Sequence, residues 1–473
     1  MNSQQLEQFI NQTWDQSIVP TISRYIEIPC KSPFFDKDWE KNGYIAQAMQ
    51  LLADWCKEQQ VPGMQLKVHQ LPGRTPLLFI EVPGDYDKTV VMYGHMDKQP
   101  EMVGWHEGLG PWKAVLKEGR LYGRGGADDG YAVFSALTAI KALKQQGIPH
   151  ARCVIIIEGS EESGSIDLPA YVDHLQKDIG QADLIICLDS GADNYDQLWC
   201  TTSLRGLVAA QLTVEILTEG VHSGAASGVV PSSFRILRKL LDRIENVDTG
   251  EILLKEFHVD IPENRVAEAE HAADILQDEV WNNYPWVEGA RPAAIPGAQM
   301  ILNRTWKPTL SITGVDGIPP LQSAGNVLRP QTSVMLSVRI PPYCEPNQAA
   351  ETLKRVLEAD PPFGAKVSVT FPKNTHGTGW NAPELQPWLA TAIDQASQTF
   401  YQKPAAYHGE GGSIPFMFML GEKFPQAQFM ITGVLGPHSN AHGPNEFLHI
   451  DMAKRLTCCV ASVIESHGKN VKG

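Results

Sequence analysis

The chain has 473 residues, 43% of them hydrophobic and 20% charged, the balance of a soluble globular protein. That length exceeds one ordinary core, so two domains are expected. A net charge of -15 argues against nucleic acid and anionic membranes as partners, and no apolar run approaches the ~20 residues of a membrane span.

Residues 1–15 are polar and lack a basic start followed by an apolar stretch, so they are not read as a secretory signal. They predict an amphipathic helix through Leu6, Phe9, Ile10 and Trp14. Short apolar runs at 77–82, 89–93, 152–157 and 184–188 predict strands, alternating with helical patterns at 44–60, 131–146 and 167–177. Such alternation predicts an α/β sheet covered on both faces, with functional residues at the carboxyl ends of its strands. The eight cysteines are scattered without a C-x-x-C pair, and several sit inside apolar runs. They are expected to be free thiols in a reducing cytoplasm, with none assigned to metal.

From about Arg205 the texture changes. An alternating strand at 207–217, helices at 231–244 and 350–358, and strands at 310–313, 334–340 and 365–371 predict a small α+β domain with one open sheet face. Residues 248–304, acidic and helical with Trp281 and Trp286, read as an elaboration of it, and Trp306 lies just beyond. After Ala382 the α/β texture returns, with a helix at 385–401, a strand at 429–432 and a final helix at 452–466. The expected organisation is a catalytic domain at 1–206 and 384–473, interrupted by a lid at 207–383.

Five segments carry acids or histidine, and four of them follow predicted strands or glycine-rich turns directly. His95 and Asp97 end the 89–93 run, and in an extended H-x-D both side chains project the same way. Taken alone, that pair also fits an ordinary loop. Asp128 and Asp129 lie in a glycine-rich turn before a helix, where an aspartate either bridges two cations or caps the helix. Capping is the better reading for Asp129. Glu161 and Glu162 follow three isoleucines, and adjacent carboxylates at a buried strand end need cations or protons to compensate them. One can bind metal while its neighbour stays free as a base. Asp189 ends the 184–188 run, and His442 sits in a Gly- and Pro-rich loop. Each has a bland alternative as a cap or turn residue. Their convergence in one α/β domain points to a hydrolase using two divalent cations.

The stretches 93–100 (YGHMDKQP), 121–130 (LYGRGGADDG), 158–165 (EGSEESGS), His222-Ser223-Gly224, 410–415 (EGGSIP) and 441–446 (AHGPNE) resemble the aminoacylase, glutamate carboxypeptidase and carnosine dipeptidase family of co-catalytic metallopeptidases. The resemblance spans nearly the whole chain and is greatest to the cytosolic non-specific dipeptidase branch. It implies a two-domain zinc-exopeptidase-like fold, an α/β/α sandwich interrupted by a lid that also dimerises. His95, Asp128 and Asp189 would hold one cation, and Asp128, Glu162 and His442 the other, as zinc or manganese. Glu161 would be the general base, with Asp97 orienting His95. His222 would reach the partner's site in a homodimer and stabilise the oxyanion. Arg339 and Ser413 would grip the carboxylate of a dipeptide or short peptide, with Asn326 and His376 as further contacts. An N-acyl amino acid deacylase or desuccinylase would use the same site, and a non-catalytic binding protein would be expected to lack the ligands or base. Lys98 replaces the usual small apolar residue beside Asp97, and Gly130-Tyr131 the usual Lys-Gly, without removing a ligand.

Overall fold

The computed structural model describes residues 1–372 and 376–472. Its main sheet has six strands in the order Gln65–His69, Leu77–Val82, Ala151–Glu158, Tyr86–His95, Leu184–Cys187 and Gln428–Ile431. The last four run parallel, and the first two are antiparallel additions at one edge. Alternate residues of each central strand enter different cores, as the pleat requires. Val90 and Met92 pack under the helices Ala132–Gln145 and Ile450–Lys472, whereas Val91 and Tyr93 pack with Tyr171 and Phe416 on the other face. The near-continuous apolar text of these strands follows from burial on both sides.

The smaller sheet places Thr309–Asp316, Gln331–Ile340, Gly206–Glu215 and Lys366–Thr370 side by side, with His376–Gly377 also paired to Gly206–Glu215. Val208, Ala210, Leu212 and Val214 face a core closed by Leu237, Leu240, Leu353 and Leu357 from the helices Ser233–Leu241 and Pro346–Glu358. Leu207, Ala209, Ser337 and Arg339 alternate with core residues and stay partly accessible, so the open face is observed.

The elaboration differs from expectation. Within the range assigned to the lid, the helices Glu263–Leu276 and Ala298–Thr305 pack on the catalytic side. Ala269, Ala272, Leu276, Ile301 and Trp306 share the main core with Trp199 and Ala406. Arg265 donates to the Ala382 carbonyl at 2.8 Å, and Thr202 to Glu268 at 2.6 Å. Small alanines let this helix lie close to the strand Ala406–Glu410, a partner distant in sequence that helical periodicity does not reveal. No helix among the described residues is long and apolar enough to cross a membrane.

Candidate metal centre

The parallel strands deliver the site. Tyr86–His95 ends on His95, Ala151–Glu158 leads into Glu161 and Glu162, and Leu184–Cys187 leads into Asp189. Gly94 is required where the Asp128 turn crosses this edge, because a Cβ there would lie 2.4 Å from the Ala132 Cβ.

Asp128 divides its carboxylate. One oxygen lies 3.1 Å from His95 Nε2 and the other 3.1 Å from His442 Nε2. His442 Nε2 is also 3.4 Å from Glu162, and His95 Nε2 is 3.7 Å from Asp189 and 3.9 Å from Glu161. Contacts of His95, Asp128 and His442 thus link the six residues into one cluster. Ligating atoms of His95, Glu161 and Asp189 lie within 4.8 Å of one another, as do those of His95, Asp128 and Glu162.

Asp97 has a larger part than holding one ring. His95 Nδ1 lies 3.1 Å from the Asp97 carbonyl and 3.6 Å from its carboxylate. The carboxylate instead accepts the main-chain N–H groups of Glu161 and Glu162, both at 3.0 Å. It thereby fixes the two glutamates relative to His95. Asp129 accepts the His95 main-chain N–H at 3.2 Å, a scaffold contact rather than the helix cap expected for it.

The donor set fits divalent cations. Burial, then Asp128, pushes the Glu162 carboxyl up to about 8, while burial and Asp189 hold Glu161 well above the usual range. Burial alone would raise Asp128, but His442 and His95 overcome it and hold its carboxyl below the ordinary value. Glu162 Oε1 and Asp129 Oδ1 are buried with no hydrogen-bond partner among the described residues. So many carboxylates out of water demand positive charge, and imidazole with carboxylate oxygen suits divalent cations.

Arg339 and Ser413 meet, with the guanidinium donating to the serine hydroxyl at 3.2 Å. Asn326 and His222 sit together elsewhere: both are exposed, on a short ribbon of the lid where His222 pairs with Val327. Among the described residues, His222 makes no hydrogen bond or ion pair to His95, Asp128, Glu161, Glu162, Asp189 or His442. His376 stacks edge-on against Phe371 and buries Nε2 with no hydrogen-bond partner among the described residues. It pairs with Val208, a residue of the lid core, so its backbone register differs by one from that of Arg339 and Leu207.

Two groups given no role from sequence belong to this site. Arg124 and Glu446 form a buried ion pair at 2.6 Å that ties the Asp128 turn to the His442 loop. Glu410 accepts the Gly191 N–H at 3.0 Å, two residues beyond Asp189. All three charged side chains lie in the stretches 121–130, 410–415 and 441–446, but their mutual pairing is a long-range fact.

Residues 91–466 match the model of peptidase family M20/M25/M40. The chain belongs to this family. Among curated proteins, this M20 peptidase is 28% identical over 403 residues to a cysteinylglycine-S-conjugate dipeptidase of Corynebacterium striatum, covering 80% of this chain and 81% of that one. It is 25% identical over 409 residues to a human Beta-Ala-His dipeptidase, covering 83% and 78%. Among solved structures, human carnosine dipeptidase 1 superposes with a TM-score of 0.81 at 20% identity over 99% of both chains. The dipeptidase Dug1p of Saccharomyces cerevisiae gives 0.78 at 21%, again over 99% of both. At those identities the structures establish the shared two-domain fold.

Proposed function

We propose that this M20 peptidase hydrolyses dipeptides or short peptides with a free C-terminal carboxylate, using two divalent cations, zinc or manganese. The division of Asp128 between His95 and His442 carries this reading, because it builds a shared ligand flanked by one glutamate on each side. His95, Asp128 and Asp189 would hold one cation, and Asp128, Glu162 and His442 the other. Bound there, the pair supplies an acidified water and polarises the scissile carbonyl.

Glu161 is the residue left to move protons. Its main-chain N–H is fixed by Asp97 and its side chain reaches to 3.9 Å from His95 Nε2. It takes the proton of the attacking water and returns it to the leaving amine. Arg339 and Ser413 bind the substrate carboxylate, which aligns the peptide bond and favours short substrates. Asn326 and His376 are assigned as further substrate contacts.

His222 stabilises the developing oxyanion in the site of a second copy, making the working unit a homodimer. The exposed strand Thr309–Asp316, with Ile312 and Val315 open to solvent at the edge of the lid sheet, supports such an association. Eight buried free cysteines support a reducing, cytoplasmic setting. The catalytic domain is assigned to 1–206 and 384–473 and the lid to 207–383, whose insert docks back on the catalytic side.

The test is hydrolysis by metal-depleted protein before and after adding manganese or zinc. Substrates are free dipeptides, including β-alanyl-histidine, beside matched N-acetyl and N-succinyl amino acids. Metal-restored cleavage of free dipeptides alone is expected. Cleavage of acyl compounds alone would transfer the enzyme to the deacylases, and stoichiometric cation without any hydrolysis would make it a binding protein.

A further inference from the structure

The 248–304 insert gathers aromatic residues beside Arg205, Arg304 and Thr309. A pocket of about 410 Å³, within the ~300–1,000 Å³ usual for small-ligand sites, lies between the insert and the base of the lid. Trp281, Tyr284, Trp286 and Met300 form its apolar wall. The rings brace one another, with Tyr284 and Trp286 edge-to-face at 6.3 Å and Trp281 and Trp286 at 6.4 Å. Trp286 Nε1 donates to the Trp281 carbonyl at 2.7 Å, which fixes the loop.

The opposite side of the pocket is made by Arg205, Arg304 and Thr309. Arg304 is neutralised by Asp193 at 2.5 Å, four residues after Asp189. The Arg205 guanidinium donates to the Lys307 and Gly411 carbonyls and the Thr309 hydroxyl, at 3.0–3.1 Å. This side also belongs to the carboxylate clamp. Ser413, which meets Arg339, donates its hydroxyl to the Arg205 carbonyl at 2.6 Å. Thr309 stands directly opposite Arg339 in the antiparallel register. Paired residues project to one face of a sheet, so Thr309 and Arg339 share the open face of the lid.

Arg205 and Thr309 thus join this pocket to Arg339 and Ser413, the pair proposed to hold the substrate carboxylate. We propose that the pocket receives the side chain of the substrate's C-terminal residue, and that its aromatic wall selects large apolar, above all aromatic, side chains there over glycine. This rests on the peptidase reading above and assigns the insert its role.

The experiment compares kcat/KM of the metal-loaded enzyme on Ala-Gly, Ala-Leu, Ala-Phe and Ala-Trp with that on Gly-Ala and Phe-Ala. Wild type should favour Ala-Phe over Ala-Gly by about ten- to a hundredfold, the range expected for burying an aromatic side chain. Tyr284→Ala should compress that ratio, and Ala294→Trp, which fills the pocket from its rim, should invert it. Metal stoichiometry should stay at the wild-type value in both variants. Cleavage of dipeptides with Ala-Gly ranked at or above Ala-Phe would overturn the pocket while leaving the peptidase reading intact. So would variants that alter the Phe-Ala to Gly-Ala ratio instead. Failure of wild type on every dipeptide would overturn the reading itself, and the pocket with it.

Discussion

The Arg124–Glu446 pair offers the clearest test of how the centre is held. Both side chains are buried, at 1% and 0% exposure, with guanidinium and carboxylate 2.6 Å apart. Glu446 also accepts the Gly125 N–H at 2.9 Å, and Arg124 donates to the Gly443 carbonyl at 2.6 Å, beside His442. Glu446→Gln preserves shape but leaves the Arg124 charge buried without its partner. Breaking one side of a buried pair costs about 3–5 kcal/mol, a large part of the ~5–15 kcal/mol that keeps a protein folded. Replacing both, as Arg124→Met with Glu446→Leu, removes the stranded charge. What remains is the loss of three main-chain contacts, to Gly125, Gly443 and Pro100, about 1 kcal/mol each. The double variant should therefore be at least as stable as Glu446→Gln, by about 0–2 kcal/mol, and should cost less than the sum of Glu446→Gln and Arg124→Met. Urea unfolding of the metal-free proteins measures it. Cation affinity should move differently. With the His442 loop untethered, one of the two cations should bind ~10–100-fold more weakly in both variants, as loss of a supporting contact does elsewhere. A Glu446→Gln cost below about 1 kcal/mol, or strictly additive effects, would refute the reasoning.

Glu161→Gln should retain both cations by metal analysis yet lose turnover by orders of magnitude; near-normal turnover would remove Glu161 as the base. Arg339→Ala should lower kcat/KM by about ten- to a hundredfold, mainly through KM, because a charge-assisted contact to the substrate carboxylate is lost. Unchanged KM would dissociate Arg339 from substrate binding. Burial depresses the His442 imidazole, but Glu162 and Asp128 prevail and lift it from 6.5 to about 9 in the metal-free chain. A raised histidine contributes stability that is complete below 6.5 and lost as pH rises through about 9, so metal-free protein should weaken over that window. Cation affinity should climb over the same window as the proton is displaced, read calorimetrically in buffers of different ionisation enthalpy, and a flat affinity would count against His442 as a ligand. Mixing Glu161→Gln with His222→Ala chains should restore activity, since a mixed dimer holds one site with both residues intact. No recovery after confirmed subunit exchange would rule out a shared site.

The readable parts of this chain are those where a residue's neighbours in sequence are also its neighbours in function. Val90 to Gly94 is buried strand that ends on His95, the proposed ligand, and the isoleucines before Glu161 mark both a strand and the cost of leaving two acids at its end. What stayed hidden was pairing across long separations. Arg124 and Glu446 lie 322 residues apart, and each alone is an ordinary loop charge. The strand Trp199–Leu204 is fully buried although its centre is Thr201-Thr202-Ser203, because Thr201 and Thr202 bond to neighbouring elements. The docking of the helix Glu263–Leu276 is hidden for the same reason: of its buried residues Arg265, Ala269, Ala272 and Leu276, only the leucine contributes strongly to a hydrophobic pattern.

Lys98 shows where local reasoning points the wrong way. Beside Asp97 it suggests a change in the electrostatics of the cleft, but its ammonium is turned away from the ligands and fully buried. It donates to the carbonyls of Tyr25, Ile26 and Ile28 at 2.7, 3.3 and 2.9 Å, closing the end of the helix Val19–Ile26. Its stem fills the space over Gly125, whose φ of +81° and missing Cβ permit the contact. Tyr25 in turn donates to the Met96 carbonyl at 2.6 Å. The first residue after Asp97 thus joins the N-terminal helix, the strand carrying His95 and the turn carrying Asp128. With Asp97 gripping the N–H groups of Glu161 and Glu162, and Arg124–Glu446 gripping the His442 loop, protein contacts alone fix the ligand backbones. The acids are held together by the scaffold against their own repulsion, and the cations answer a charge demand that folding has already created.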